Sequence, residues 1–293
     1  MWKFQTIGLV GSYKSILVIK TLNYIYQLLT NWGITIILEN KTAFLLKKKN
    51  GISIKKLTKN CDLIISVGGD GNLLSVARIS SLYNVPVIGI NQGKLGFLTD
   101  INPSDVHHEL KEILKGKYIE CKRFLIQGII KKNNKKAIFF GNALNDIVLY
   151  SGESSHLIEF EVKINNKFVY TQRSDGIIIA TPTGSTAYAL SAGGPIIEPT
   201  MDALVLVPKF PHTLSNRPLL INASSKITLI IGYYKKSNPK ISFDGQNNCE
   251  IKTGNIIHIN KQHETLRLLH PKNYNYYQSL RNKLYWSQQL LNI

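Results

Sequence analysis

The stretch Ser66-Val67-Gly68-Gly69-Asp70-Gly71-Asn72-Leu73-Leu74 sets a carboxylate inside a glycine loop, between an apolar run that begins at Leu63 and residues that read as a helix start. Glycines at such a junction usually make room for phosphate, because free backbone N–H groups and the helix dipole both favour negative charge there. A carboxylate beside a phosphate has two uses that outweigh the repulsion: it shares a divalent cation with the phosphate oxygens, or it accepts the proton of a hydroxyl that attacks phosphorus. Both belong to phosphoryl transfer. The structural alternative, Asp70 as a helix cap, is compatible with either. The loop is neither a G-x-x-x-x-G-K-[ST] phosphate loop nor a G-x-G-x-x-G dinucleotide fingerprint.

A second glycine-rich stretch runs from Arg173-Ser174-Asp175-Gly176 through Ile177 to Ala180, then Thr181-Pro182-Thr183-Gly184-Ser185-Thr186-Ala187-Tyr188, and ends in Ser191-Ala192-Gly193-Gly194-Pro195. It reads as a turn, a buried strand, a hydroxyl-rich bend and a short helix stopped by Gly-Gly-Pro. The hydroxyls of Thr183, Ser185 and Thr186 suit helix capping, and they equally suit a sugar or phosphate laid against the backbone. A third piece, Phe243-Asp244-Gly245-Gln246, reads first as a hairpin turn, since Asp-Gly is a common one.

The elements that must position these residues change character along the chain. Thr6 to Val10 reads as a strand, Ser15 to Thr30 as an amphipathic helix, Ile34 to Leu38 and Leu63 to Val67 as strands, then a helix through Ile79 and a strand over Val85 to Ile90. Strands alternating with helices imply parallel βαβ units in a doubly wound sheet. Ligands of such sheets lie beyond the carboxyl ends of the strands, where the Gly68 to Gly71 loop falls. After about residue 120, Phe124 to Lys132, Ala137 to Tyr150, Leu157 to Ile164 and Phe168 to Gln172 read as strands, with Asn165-Asn166 as a hairpin turn that tolerates positive φ. Ile227 to Tyr234, Lys240 to Phe243 and Ile256 to Lys261 continue an antiparallel β pattern. From Pro271 to Trp286 helical spacing returns, and a single helix there needs one of the two domains to cover its apolar face.

At 293 residues the chain is long enough for two domains with cores that stand without disulfides. Cys61, Cys121 and Cys249 are odd in number and match no zinc or C-x-x-C spacing, which points to a reducing compartment and a cytoplasmic protein. No signal peptide is legible after Met1, and no apolar run approaches the roughly 20 residues that cross a bilayer. The net charge of +18 raises a nucleic-acid reading. Yet Lys47-Lys48-Lys49 and the Lys131 to Lys136 cluster fall in surface turns without interleaved aromatics, in a chain rich in Lys, Asn and Ile together. They read as solvated lysines, with steering of a small polyanionic substrate as the alternative. No nucleic-acid or membrane partner is expected.

Taken in order, Gly68-Gly69-Asp70-Gly71-Asn72, Asn91-Gln92-Gly93-Lys94-Leu95-Gly96-Phe97-Leu98, Asn145-Asp146, Ser174-Asp175-Gly176, Thr183 to Tyr188, Ser191 to Pro195 and Asp244-Gly245-Gln246 resemble the bacterial-type, ATP-dependent NAD kinase family, from about residue 5 to residue 286. The Gly-Gly-Asp-Gly element alone is shared with lipid kinases and phosphofructokinases; the ordered set is specific. The resemblance implies transfer of the γ-phosphoryl of ATP, or in some members of polyphosphate, to the 2′-hydroxyl of the adenosine ribose of NAD, with a divalent cation, expected to be Mg²⁺. It implies Asp70 as the proton acceptor and Gly71 beside the nucleotide. Asn145 and Asp146 would hold adenine and ribose, Asp175 the carboxamide end, and Thr186, Ala187, Tyr188 and Ser191 the pocket wall. His156, Arg173 and Gln246 match further contact positions, with Arg173 similar to members that prefer NAD over NADH. No protein metal ligand is expected.

Many family members carry Asn-Glu where this chain has Asn145-Asp146, one methylene shorter. The implied fold is α/β plus all-β: an N-terminal doubly wound α/β domain (residues 1–100 and 271–293, carrying the glycine loop), a C-terminal antiparallel β-rich domain (residues 101–270), and a final helix returning to the first. A homo-oligomer, dimer or tetramer, is implied as well. A kinase with the same loop acting on a lipid or a sugar phosphate is the rival enzyme, against which Asn145-Asp146 and the Thr183 to Tyr188 segment argue. A protein that held NAD without chemistry would be expected to lack Asp70.

Overall fold

In the computed structural model, which describes residues 2–11, 15–92, 96–132, 137–152, 157–211, 216–232 and 239–286, the chain divides into two units. The first comprises residues 1–122 with 265–293, the second residues 123–264.

The first unit is built on a parallel sheet. Strands β1 (Thr6–Gly11), β2 (Thr35–Glu39), β3 (Gly51–Ile52), β4 (Leu63–Val67) and β5 (Val87–Ile90) stand in the order β3-β2-β1-β4-β5. The order reverses between β1 and β4, which is the switch point where doubly wound sheets leave a crevice for ligands. All five residues of β4 are buried, as expected of a central parallel strand covered on both faces, and this is why Leu63 to Val67 shows no alternation. Helix α1 (Ile16–Asn31) starts at Ser15, whose hydroxyl accepts the Leu17 N–H, and it buries Val18, Leu22, Ile25 and Leu29 along one stripe. Between β2 and β4 lie α2 (Asn40–Leu45), α3 (Ile54–Lys59) and β3, in a stretch the sequence pattern left without elements. Glu39 caps α2 through the N–H groups of Lys41 and Thr42. Lys47, Lys48 and Lys49 fall in the exposed turn that follows.

After β4 come α4 (Asp70–Ser80) and, beyond β5, α5 (Val106–Leu114). The long strand Asn255–His270 reaches well past its expected end at Lys261, and its distal part pairs parallel with β5 through Leu268 and Val87. His270 then places Nδ1 2.8 Å from Asp100 Oδ2 and stacks on Tyr274, with ring centroids 3.8 Å apart, so the tail is anchored in the first unit. The C-terminal helix Tyr276–Leu284 belongs to this unit, as the implied fold requires.

The second unit is antiparallel β. After β6 (Ile119–Lys132), whose first residues belong to the first unit, come β7 (Ala137–Ala143), β8 (Asp146–Tyr150), β9 (Ile158–Ile164), β10 (Lys167–Ser174), β11 (Gly176–Ala180), β12 (Ala203–Lys209), β13 (Leu219–Asn222), β14 (Ile227–Ile231), β15 (Lys240–Phe243), β16 (Asn247–Glu250) and β17, the strand Asn255–His270. One sheet runs β13-β12-β11-β8-β15-β16; β10, β9, β14 and β17 are neighbours in another, and β6 pairs with β7 and β17. Asn165 and Asn166 turn between β9 and β10 with φ of 51° and 65°, as their residue types predict.

Side chains of both sheets meet in one core that includes Ile147, Leu149, Phe160, Val162, Ile177, Ile179, Leu206 and Phe243. The alternate residues Val148, Ile178, Ala180, Val205 and Val207 face the other way and pack with Ala189 and Ile197. Strand β11 is therefore apolar on both faces. Ala189 belongs to α6 (Tyr188–Ser191), the expected short helix; residues 183–186 form a separate 3-10 turn before it, and Ala187 breaks from helical geometry.

One departure from the sequence reading bears on function. Ala137 to Tyr150 reads as a single strand, but the structure breaks it at Leu144 and Asn145, between β7 and β8. The N–H groups there are taken by a side chain 98 to 100 residues away, Asp244.

Candidate active site

In the first unit the carboxyl end of β4 runs into Gly68, whose φ of 147° is a region glycine favours, and its N–H bonds the Ile90 carbonyl. Gly69 precedes α4, and among the described residues a Cβ built there would meet nothing within 4 Å. The protein itself does not need Gly69 to be bare, so the space over the helix start is open to a ligand. Asn72 binds the first turn of α4 back to the strand end, donating from Nδ2 to Ser66 Oγ at 2.9 Å.

Asp70 is the first residue of α4, and no side-chain bond caps that helix. Its carboxylate turns to the segment after β5. Oδ2 accepts the Phe97 N–H at 2.8 Å; Oδ1 accepts the N–H groups of Leu98 (3.2 Å) and Thr99 (3.1 Å) and the Thr99 hydroxyl (2.9 Å). Gly96 is required beside it, since a Cβ there would lie 1.9 Å from Oδ1. A carboxylate offers about two lone pairs per oxygen. Among the described residues Oδ1 accepts three bonds and Oδ2 one, so Oδ2 keeps acceptor capacity for an incoming proton. Gly71 follows as an exposed second helical residue. Gly93, Lys94 and Leu95 of the adjoining motif lie outside the described residues.

In the second unit a cavity of about 420 Å³ is lined by, among others, Asn145, Asp146, Tyr150, Ala187, Tyr188, Lys209 and Asp244. Asp244 and Gly245, with φ of 52° and 66°, form the tight turn between β15 and β16 that the Asp-Gly pair predicts. The Asp244 carboxylate also accepts the N–H groups of Leu144 (3.1 Å), Asn145 (2.8 Å) and Asp146 (3.3 Å), and so shapes the break before β8. From the other side Thr181 donates its N–H to the Asn145 carbonyl at 2.9 Å, and Gly184 packs so close that a Cβ would lie 2.0 Å from that oxygen. Asn145 and Asp146 are thus held from two directions. Burial, followed by the negative charge of Asp244, pushes the Asp146 carboxyl up to about 7.

The sequence-expected residues fall into several groups. Asn145, Asp146, Ala187 and Tyr188 share this cavity. Tyr188 and Ser191 line a second cavity, of about 590 Å³, with Phe210 and Pro218. Thr186 sits in the 3-10 turn just before Ala187, its hydroxyl donating to the Thr183 carbonyl at 3.3 Å. Asp175 lies between β10 and β11, its N–H bonded to the Lys209 carbonyl at 3.1 Å, and Arg173 is exposed near the end of β10. Gln246 is exposed directly after Gly245, and His156 lies outside the described residues. Ser185 is internal, with Oγ donating to the Pro182 carbonyl and accepting the Ile197 N–H.

Sequence reasoning did not bring Tyr150, Lys209 or Asp244 to the site. The Asp-Gly turn was a visible signal for Asp244. Tyr150 and Lys209 are ends of strands, and nothing local marks them.

An aspartate presented at the switch point of a parallel sheet, with a spare oxygen beside an open glycine loop, defines a phosphotransferase. The ATP-NAD kinase N-terminal domain matches residues 16–118 and the ATP-NAD kinase C-terminal domain residues 144–270. The NAD kinase of Hahella chejuensis is 49% identical over 289 residues, covering 98% of this chain and 97% of that protein. Among solved structures, an NAD kinase from Archaeoglobus fulgidus in complex with ATP aligns with a TM-score of 0.74 at 25% identity, over 96% of this chain and 98% of that one. Yeast NADH kinase complexed with NADH shares the fold, with a TM-score of 0.88 at 23% identity over 97% and 88%. The chain belongs to the NAD kinase family.

Proposed function

We propose that the protein transfers the γ-phosphoryl group of ATP to the 2′-hydroxyl of the adenosine ribose of NAD and releases NADP, with Asp70 as the general base. The observation that carries this reading is the Asp70 carboxylate, fixed by the N–H groups of Phe97, Leu98 and Thr99 and retaining acceptor capacity on Oδ2. Oδ2 takes the proton of the 2′-hydroxyl as that oxygen attacks phosphorus. The open backbone at Gly69 and the start of α4 receive phosphate oxygens. Asn145 and Asp146 hold adenine and ribose, Asp175 the carboxamide end, and Thr186, Ala187, Tyr188 and Ser191 line the pocket, with Gly71, His156, Arg173 and Gln246 as further contacts.

Among the described residues no cluster of three or more His, Cys, Asp or Glu side chains could hold a metal ion. The Mg²⁺ that the family implies would enter on the oxygens of the triphosphate, where it supplies charge neutralisation. The three free cysteines suit a reducing compartment, and we place the protein in the cytoplasm. The exposed apolar side chains Ile138, Phe140 and Phe168 suit a homo-oligomer, which light scattering on the purified protein would test.

The test of function is NADP formation from NAD, ATP and Mg²⁺, read with an NADP-specific dehydrogenase. Asp70→Asn should lower turnover by about 10²- to 10⁴-fold while NAD binding, measured calorimetrically, persists. No NADP above background with wild-type protein overturns the assignment, and near-normal turnover by the variant overturns the role of Asp70.

A further inference from the structure

Lys209 closes β12 with its backbone fixed: it pairs with Gly176, and its carbonyl accepts the Asp175 N–H at 3.1 Å. Its ammonium lies over two aromatic faces, 5.1 Å from the ring centroid of Tyr188 and 5.9 Å from that of Tyr150. Lys209 and Tyr188 line both the cavity of about 420 Å³ and that of about 590 Å³, so together they form the wall those two share. The charged residues lining the smaller cavity are Asp146, Asp244 and Lys209. Among the described residues, Lys209 has no carboxylate within ion-pair distance.

The acidic side chains of this cavity do nothing to offset the charge of a diphosphate bridge, which calls for a cation. The aromatic faces orient the ammonium without neutralising it, so it remains available to an anion. The two cavities, about 420 and 590 Å³, each have the size of a small-ligand pocket. A molecule made of two nucleosides joined by a diphosphate would put its charges at the shared wall.

We propose that Lys209 is the specificity-determining contact for the diphosphate bridge of the dinucleotide, met at the wall between the two cavities. This rests on the reading of the second unit as the NAD site. The contact selects dinucleotides over uncharged nucleosides and makes their binding salt-dependent, as expected for a partly desolvated ion pair.

The experiment compares wild type with Lys209→Met, which keeps an unbranched stem, and Lys209→Arg, which keeps the charge. Binding of NAD and of adenosine, which has no phosphate, is measured calorimetrically across a salt series. Lys209→Met should weaken NAD binding about tenfold at low salt, flatten its salt dependence and leave adenosine binding unchanged. Lys209→Arg should restore NAD binding to within a few-fold, and in turnover the loss should appear in KM for NAD more than in kcat. Equal weakening of NAD and adenosine would assign Lys209 to packing alone, and unchanged NAD binding would remove it from the site; either overturns the proposal while the NAD site stands. Wild-type protein that binds no NAD would overturn the site itself.

Discussion

In the first unit three successive N–H groups, those of Phe97, Leu98 and Thr99, close on the carboxylate of Asp70; in the second, the carboxylate of Asp244 closes on those of Leu144, Asn145 and Asp146. The bonding is alike but the working partner is reversed. Around Asp70 the segment is the holder and the carboxylate is the reactive part, left half-buried with one oxygen under-used. Around Asp244 the carboxylate is the holder, buried to 8% exposure, and the segment it shapes carries Asn145 and Asp146 into the cavity. The second arrangement has a cost that the first lacks. Asp244 faces Asp146, and that charge adds to burial in raising the Asp146 carboxyl to about 7.

Removing the holder in the second unit should have the largest effect. Asp244→Ala orphans three N–H groups, one of them on the fully buried Leu144, and should cost about 3 kcal/mol in urea unfolding with at least a tenfold loss of NAD affinity. The measurement belongs at pH 5, where Asp146 is protonated and the repulsion is absent. Unchanged stability there would show that the carboxylate does not hold the segment.

A smaller effect sharpens the same contrast. The folded chain binds a proton at Asp146 up to about pH 7, whereas the unfolded chain releases it near pH 4. The folded state thus carries the extra proton between these values, and stability falls as pH rises through that window. Asp146→Asn should flatten this decline by about 2 kcal/mol between pH 5 and pH 7 in paired urea titrations. Parallel slopes for the two proteins would mean that burial and the Asp244 charge do not raise the Asp146 carboxyl in the folded state.

The smallest change in stability is expected at Thr99. Thr99→Val removes one of four donors to Asp70 and should cost about 1 kcal/mol while lowering kcat about tenfold, with Thr99→Ser near wild type. In the first unit the loss should thus fall on turnover, in the second on stability and affinity. A Thr99→Val enzyme with normal kcat but weakened NAD binding would break the contrast.

Much of this was legible in the chain. Leu63 to Val67 announces a buried parallel strand because both its faces are covered, and the glycines after it announce a strand-to-helix turn, at whose first residue, Gly68, few other residues tolerate the backbone. Asn165-Asn166 and Asp244-Gly245 announce their turns for the same local reason. The strand break at Leu144 was not legible, because residues 137–150 have a sound β pattern and only a distant carboxylate interrupts it. The cluster of Tyr150, Tyr188 and Lys209 was not legible either, since its members come from three separate elements.

By itself the sequence determined what depends on near neighbours: where strands and helices form, where the backbone must turn, and which residue types stand at those turns. The tertiary structure decided which way each carboxylate faces. Asp70 could have capped its own helix, yet it bonds residues 27 to 29 positions away; Asp244 could have served its hairpin alone, yet it organises residues 98 to 100 positions away. Contacts at such separation form only after the intervening chain has been folded at an entropy cost that no local pattern records.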